Sequence, residues 1–185
     1  MKKIVIIGPE STGKSTLCEQ LAQHYQTQWC EEYAREYLLQ HGTKYSFEDL
    51  KTIAEGQLSL EDKYADAVQK AFAEQKTNLA KEPLLFIDTD MYVMKVWCEY
   101  VFGKSHNSIL EQIAARKYDL YLLCNIDLPW VAEELREYPD ERPRQELYRI
   151  YKDIMINQHV PWVEINGIHD ERIQTAIKAV DRFVR

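Results

Sequence analysis

Gly8-Pro9-Glu10-Ser11-Thr12-Gly13-Lys14-Ser15 follows directly on the apolar run Ile4-Val5-Ile6-Ile7 and leads into Thr16-Leu17. The spacing is G-x-x-x-x-G-K-[ST], a phosphate-binding loop set between a buried strand and a helix. Glycine at Gly8 and Gly13 permits backbone angles and close approaches that a Cβ forbids, so successive N–H groups can turn inward on a phosphate. Lys14 adds a point charge at the β/γ-phosphates, and the Ser15 hydroxyl is a hard oxygen ligand for Mg²⁺. A helix starting near Lys14 aims its N-terminal dipole at the same anion.

The 185 residues suffice for one domain with a full core. With 45% hydrophobic and 29% charged residues the composition is that of a globular protein. The net charge of −7 argues against a general affinity for nucleic acid or for an anionic membrane surface. No apolar run is long enough to span a bilayer, and the N-terminus enters the loop strand without a signal-peptide pattern. Cys18, Cys30, Cys98 and Cys124 are scattered, with no C-x-x-C pair and no metal spacing, as expected of reduced thiols in a cytoplasmic protein.

Outward from the loop, strands and helices alternate. The pattern predicts a strand Lys3 to Ile7, a helix Ser15 to Tyr25, a short strand Thr27 to Cys30, and a helix through Ala34 and Leu38 ended by Gly42. Ser46-Phe47-Glu48-Asp49 resembles a capping box. Phe47, Leu50, Ile53, Ala54, Leu58, Ala65, Val68 and Phe72 then keep helical spacing towards Ala80. Gly56 costs that helix about 1 kcal/mol relative to Ala and marks a place to bend or break. After Pro83 come a strand Leu84 to Ile87, helices Met91 to Phe102 and Ser108 to Arg116, and a strand Asp119 to Cys124. A polar Pro129 to Pro143 crossing, a helix Glu146 to His159, a strand Trp162 to Ile165 and a helix capped by Asp170 complete the order. The pattern is that of an α/β protein: a five-stranded parallel sheet with helices on both faces, in one domain. Ligands in such sheets sit beyond the carboxyl ends of the strands.

The polar candidates fall on those ends. Asp88 closes an apolar strand where a second acidic group is needed beside a loop-bound Mg²⁺; it serves as a Mg²⁺ holder through water or as a base, or else it caps the next helix. Asp90 divides between a site role and the N-cap of the helix from Met91. Glu31, Glu32 and Arg35 follow the second strand. A carboxylate there can bind a sugar hydroxyl or take its proton, with Arg35 holding that carboxylate or a phosphate; alternatively they are a solvated helix start. Trp29 and Tyr92 divide between stacking on a ring and packing, while Trp97 and Trp162 read as core. Arg136, Arg142 and Arg144 stand in the crossing segment either as a lid that closes on a transferring phosphoryl group or as a solvated loop paired with Glu133, Glu134 and Glu137. Gln57 reads as an ordinary helix glutamine more readily than as a base-edge contact.

Gly8 to Leu17, the WCEEYAREYL run of Trp29 to Leu38, IDTD of Ile87 to Asp90, and DLYLLCNIDLPW with its following Leu135-Arg136-Glu137 together resemble the nicotinamide riboside kinase module of NadR-type NAD-salvage proteins. The resemblance covers nearly the whole chain. It implies a three-layer P-loop kinase fold with an arginine-bearing lid over approximately 129–144, and ATP- and Mg²⁺-dependent phosphorylation of the 5′-hydroxyl of nicotinamide riboside. Position by position it assigns Gly8, Glu10, Ser11, Thr12, Gly13, Lys14, Ser15 and Thr16 to ATP and Ser15 with Asp88 to the metal. Around the nucleoside it sets Trp29, Glu32, Arg35, Asp90 and Tyr92, and as catalytic groups it implies Lys14, Glu32, Asp88, Arg136 and Arg142. The family's larger members carry a nucleotidyl-transferase domain ahead of the kinase, so joining AMP to the mononucleotide is not expected of this chain, nor is a DNA-binding role. Glu133-Glu134 stands where the family pattern has an acidic and a small residue. Three functions compete at this point: a ribonucleoside kinase, a kinase for another nucleoside or a nucleotide, and a nucleotide-switch ATPase with a protein partner. Self-association is left open.

Overall fold

Ile4 and Ile6 point to one side of the first strand, Val5 and Ile7 to the other, and all four are fully buried, so that strand is covered on both faces. The computed structural model describes residues 1–74, 82–133, 135 and 137–184. Within them the order is β1 (Lys2–Ile7), α1 (Lys14–Tyr25), β2 (Trp29–Cys30), α2 (Tyr33–His41), α3 (Phe47–Glu74), β3 (Leu84–Asp88), α4 (Met91–Phe102), α5 (Asn107–Ala115), β4 (Leu120–Cys124), α6 (Glu141–Asn157), β5 (Trp162–Ile165) and α7 (Asp170–Phe183). The strands form one sheet in the order β2-β3-β1-β4-β5, with every pairing parallel. This is the expected α/β architecture.

One face of the sheet carries Ile4, Ile6, Phe86, Leu122 and Ile165 against Leu17 and Leu21 of α1 and Ala176 and Val180 of α7. The other carries Val5, Ile7, Ile87 and Leu123 against α4 and α6 through Val93, Val96, Leu147, Tyr151 and Met155. A third cluster ties α2, α3, α4 and α5 together through Ala34, Leu50, Ile53, Met94 and Ile109. Strand β1 lies between β3 and β4, and the chain visits β2 and β3 on one side before crossing to β4 and β5. The connection reverses at β1, so the crevice of the sheet opens at its carboxyl end, where the phosphate loop begins.

Three local expectations change, the first being that His169 and not Asp170 is the N-cap of α7, which begins at Asp170. Gly56 does not break its helix, since α3 runs without interruption over 28 residues. The glycine is there for packing: a Cβ on Gly56 would stand 2.1 Å from Cε1 of Tyr33, so the ring of α2 rests on bare backbone. Helix α6 starts at Glu141 and takes in Arg142, Pro143 and Arg144 from the segment read as a crossing loop. Pro143 is tolerated because first-turn N–H groups have no intrahelical acceptor to lose. The capping box forms as expected, with the Ser46 hydroxyl accepting from the Asp49 N–H at 3.3 Å and the Asp49 carboxylate accepting from the Ser46 N–H at 2.7 Å. No helix of the described residues is long and apolar enough to cross a membrane.

Candidate active site

The loop between β1 and α1 is held open by contacts specific to its residues. Gly8 has φ +143° and lies so close to β4 that a Cβ would meet the Cys124 carbonyl oxygen at 2.7 Å. The Thr12 hydroxyl donates to the Pro9 carbonyl at 2.7 Å, and the Lys14 ammonium donates to the same carbonyl at 3.0 Å. From behind, Arg172 of α7 donates to the Thr12 carbonyl at 2.7 Å and pairs with Asp127 at 2.8 Å. Loop curvature is thus fixed by the last helix.

Asp88 ends β3 beside the loop, and its Oδ2 accepts from the Ser15 hydroxyl. Its other oxygen is buried without a partner among the described residues. Burial raises the Asp88 carboxyl above its ordinary range, while the Lys14 ammonium and the Ser15 hydrogen bond oppose that rise. A hydroxyl and a carboxylate in contact, with one carboxylate oxygen still to be satisfied, suit a Mg²⁺ ion that keeps waters and phosphate oxygens as its remaining ligands. Among the described residues no group of three or more His, Cys, Asp or Glu forms an all-protein cage, so the fit is to this hydroxyl–carboxylate type of site.

Thr89, with φ +79°, carries the chain through a conformation disfavoured for a β-branched residue. The turn sends Asp90 away from the loop. Its Oδ1 accepts from the Tyr92 and Val93 N–H groups at 3.0 and 3.3 Å, and its Oδ2 accepts from the Tyr121 hydroxyl at 2.8 Å. Asp90 is therefore the buried N-cap of α4, with its carboxyl pushed up by burial to about 6.

A cavity of about 370 Å³ opens in front of the loop. Gly8 to Thr16 form one end. Glu32, Ala34, Arg35 and Leu38 line a side, and Val93, Val96, Trp97 and Tyr100 of α4 form a wall. Burial, reinforced by the neighbouring negative charge of Asp88, raises the Glu32 carboxyl well above the ordinary carboxylate range against the pull of Lys14. The segment before α6 covers the cavity with Glu133, Leu135, Glu137 and Tyr138. It is held there from several sides. Glu10 accepts from the Glu137 and Tyr138 N–H groups, and Ser11 accepts from the Val131 N–H. Glu133 pairs with Arg35, and Glu137 accepts from the Tyr45 hydroxyl at 2.9 Å.

The structure thus gathers the loop residues, Glu32, Arg35 and Asp88, and leaves other candidates apart. Trp29 packs against the α1 side of the core, because strand alternation turns it from the face that bears the cavity. Tyr92 packs edge-on against Tyr121, with ring centroids 5.9 Å apart. Arg142 faces solvent with its side chain 90% exposed and pairs with Glu146 one helical turn on, outside the cavity lining. Arg136 and Glu134 lie outside the described residues. Arg144 is buried, donating to the Leu128 carbonyl and lying over the Trp130 ring, and so anchors the start of the covering segment.

Sequence reasoning missed Trp97 and Tyr100, although Val93, Val96, Trp97 and Tyr100 stand at i, i+3, i+4 and i+7. That spacing identifies a buried face but does not say whether protein or ligand covers it. It also passed over Tyr138 and Arg172. Gln57 is an interior glutamine bonded to the turn after β2.

Residues 3–172 match the family model described as AAA domain. The chain is 28% identical over 188 residues to the trifunctional NAD biosynthesis/regulator protein NadR of Escherichia coli (strain K12), with 97% of this chain aligned to 42% of that protein. It therefore spans less than half the length of that relative. Among solved structures it is similar to NadR protein in complex with NR, with a TM-score of 0.77 at 23% identity over 98% of this chain and 49% of that one. It is also similar to NadR protein in complex with NAD and AMP-PNP, with a TM-score of 0.68 over the same shares. Deoxyadenosine kinase from M. mycoides with bound dATP superposes with a TM-score of 0.61 at 10% identity, over 98% of this chain and 100% of that one. These structural likenesses establish the P-loop kinase fold.

Proposed function

The chain belongs to the AAA domain family, and on that premise we propose that it is an ATP- and Mg²⁺-dependent nucleoside kinase, with nicotinamide riboside as acceptor and nicotinamide mononucleotide as product. The observation that carries this reading is one cavity whose lining joins the phosphate loop to Glu32, Arg35 and the rings of Trp97, Tyr100 and Tyr138. ATP as donor is supported by the loop geometry and by the NadR likeness that holds AMP-PNP. The acceptor is supported by the NadR likeness that holds NR and by the cavity's own chemistry. Nicotinamide riboside carries a cationic pyridinium ring. The described lining presents Trp97, Tyr100 and Tyr138 together with the carboxylates Glu10, Glu32, Glu133 and Glu137, against the cations Lys14 and Arg35. Aromatic faces and excess carboxylate favour a cation. A nucleoside monophosphate acceptor is disfavoured, because Arg35 is already paired with Glu133.

In this scheme the ribose 5′-oxygen attacks the γ-phosphorus, its bond to the β–γ bridging oxygen breaks, and ADP leaves. Glu32 takes the hydroxyl proton. Of the three candidate carboxylates it lines the cavity, whereas Asp88 is bonded to Ser15 and Asp90 to the start of α4. Its raised proton affinity makes it a better base near neutral pH than an ordinary glutamate. Mg²⁺, held through Ser15 and Asp88, would neutralise phosphate charge; Lys14 leaves the Pro9 carbonyl for the β/γ-phosphates. The segment 129–140 is the lid, and it excludes water that would otherwise compete as nucleophile. Arg142 has no part in this scheme. Four free, buried cysteines fit a reducing cytoplasmic setting.

A coupled ADP-release assay across ribonucleosides, deoxynucleosides and monophosphates tests the reading. Nicotinamide riboside should give the highest kcat/KM, and Glu32→Gln should lower kcat by on the order of 10²- to 10⁴-fold. ATP consumption indifferent to every acceptor offered would overturn the assignment.

A further inference from the structure

We propose that Gln57 is a positioning residue for Glu32: from the interior of α3 its amide clasps the backbone on both sides of Glu32 and sets where that carboxylate stands. Gln57 is 1% exposed. Its Oε1 accepts from the Tyr33 N–H at 2.7 Å, and its Nε2 donates to the Glu31 carbonyl at 3.2 Å. The same Nε2 lies 3.5 Å from the Cys30 sulfur, at the end of β2. One side chain, 24 residues away in sequence, thus holds the residue before Glu32 and the residue after it.

The arrangement answers a competition at the helix start. Glu32 is the N-cap of α2, where a short polar side chain ordinarily turns back onto the first free N–H groups. The Glu32 side chain makes no such bond. Gln57 satisfies a different group, the Tyr33 N–H that opens the helix, and so pins the backbone beside Glu32, whose carboxylate is not spent on a cap and lines the cavity. Gly56, next to Gln57, lets the Tyr33 ring lie flush on α3, so the turn is fixed by two adjacent residues of one helix. The charges around Glu32 are Asp88 of β3, Glu10 and Lys14 of the phosphate loop, and Arg35 one turn on along α2; none of them bonds to Gln57, so altering Gln57 acts on the carboxylate's place.

The inference rests on the reading of Glu32 as proton acceptor, and the experiment separates the two. Gln57→Met removes both hydrogen bonds at similar length. Glu32 is followed by carboxyl NMR titration, and kcat and KM by the coupled assay, in wild type and variant. In Gln57→Met the Glu32 titration should move down towards an ordinary glutamate as the carboxylate reaches solvent. In parallel, kcat should fall on the order of 10- to 100-fold while the KM for ATP stays within about twofold. A folded variant with an altered melting temperature but unchanged Glu32 titration and unchanged kcat makes Gln57 a plain structural glutamine and overturns the proposal. If wild type phosphorylates no nucleoside yet the titration moves as stated, the kinase reading falls and the positioning of Glu32 stands. Should Gln57→Met fail to fold, Gln57→Asn carries the same test, since its amide is one methylene too short to hold both groups.

Discussion

Asp88 and Asp90 stand two residues apart at the end of one buried strand, and the left-handed backbone at Thr89 turns them to different partners. Asp88 faces Ser15 and the phosphate loop; Asp90 caps α4 and accepts from Tyr121. Asp90 has a cost that can be measured. Burial holds its carboxyl at about 6, above the ordinary 3.8. Between those values the folded protein keeps a proton that the unfolded chain has lost, so stability falls as pH rises through the window and is level above it. The slope approaches 1.4 kcal/mol per pH unit inside the window. Asp90→Asn keeps the capping oxygen, presents an N–H that the Tyr121 oxygen can accept, and does not titrate. Urea unfolding at pH 5 and pH 7.5 should therefore show the variant gaining about 1 kcal/mol relative to wild type between the two conditions. An unchanged difference would mean that Asp90 is not held protonated at pH 5.

At the scale of elements, α3 shows packing overriding propensity. Alanine in place of Gly56 gains about 1 kcal/mol of helix propensity. Its Cβ would also overlap the Tyr33 ring, where the nearest carbon is 2.1 Å away, and forced repacking typically costs about 1–3 kcal/mol. The overlap should win. Gly56→Ala is expected to destabilise the protein by up to about 2 kcal/mol in urea unfolding, opposite in sign to the same change at an exposed helix glycine. The start of α6 carries the same lesson. Pro143 reads as loop punctuation, but in a first helical turn it removes no hydrogen bond, so Arg142 is carried onto an outer helix face and Arg144 into a buried anchor.

Across the whole molecule, the chain's last helix braces its first loop. Arg172 of α7 is 5% exposed and joins Asp127 after β4 to the Thr12 carbonyl. Arg172→Ala leaves a buried carbonyl and a half-buried carboxylate without this partner, and should cost about 2–4 kcal/mol. Because the lost bond is to the loop, the KM for ATP should rise several-fold beyond what the stability loss explains; a variant destabilised with unchanged KM would confine Arg172 to the fold.

The sequence alone determined what depends on local pattern and fixed spacing. The loop from Gly8 to Ser15 was legible because backbone geometry demands glycine and lysine at set intervals. The five parallel strands were legible because short apolar runs alternating with amphipathic helices admit few other arrangements. The tertiary structure decided which polar strand-end residue faces the cavity. Glu32 does and Asp88 meets the phosphate loop through Ser15, whereas Asp90, Tyr92 and Trp29 are drawn into caps and core by neighbours distant in sequence. It also decided that Trp97 and Tyr100 line the cavity, since helical spacing marks a buried face without saying what covers it. Gln57 belongs to the same class. A glutamine inside a helix has no local signature, and its meaning arises only where folding brings α3 against the turn that carries Glu32.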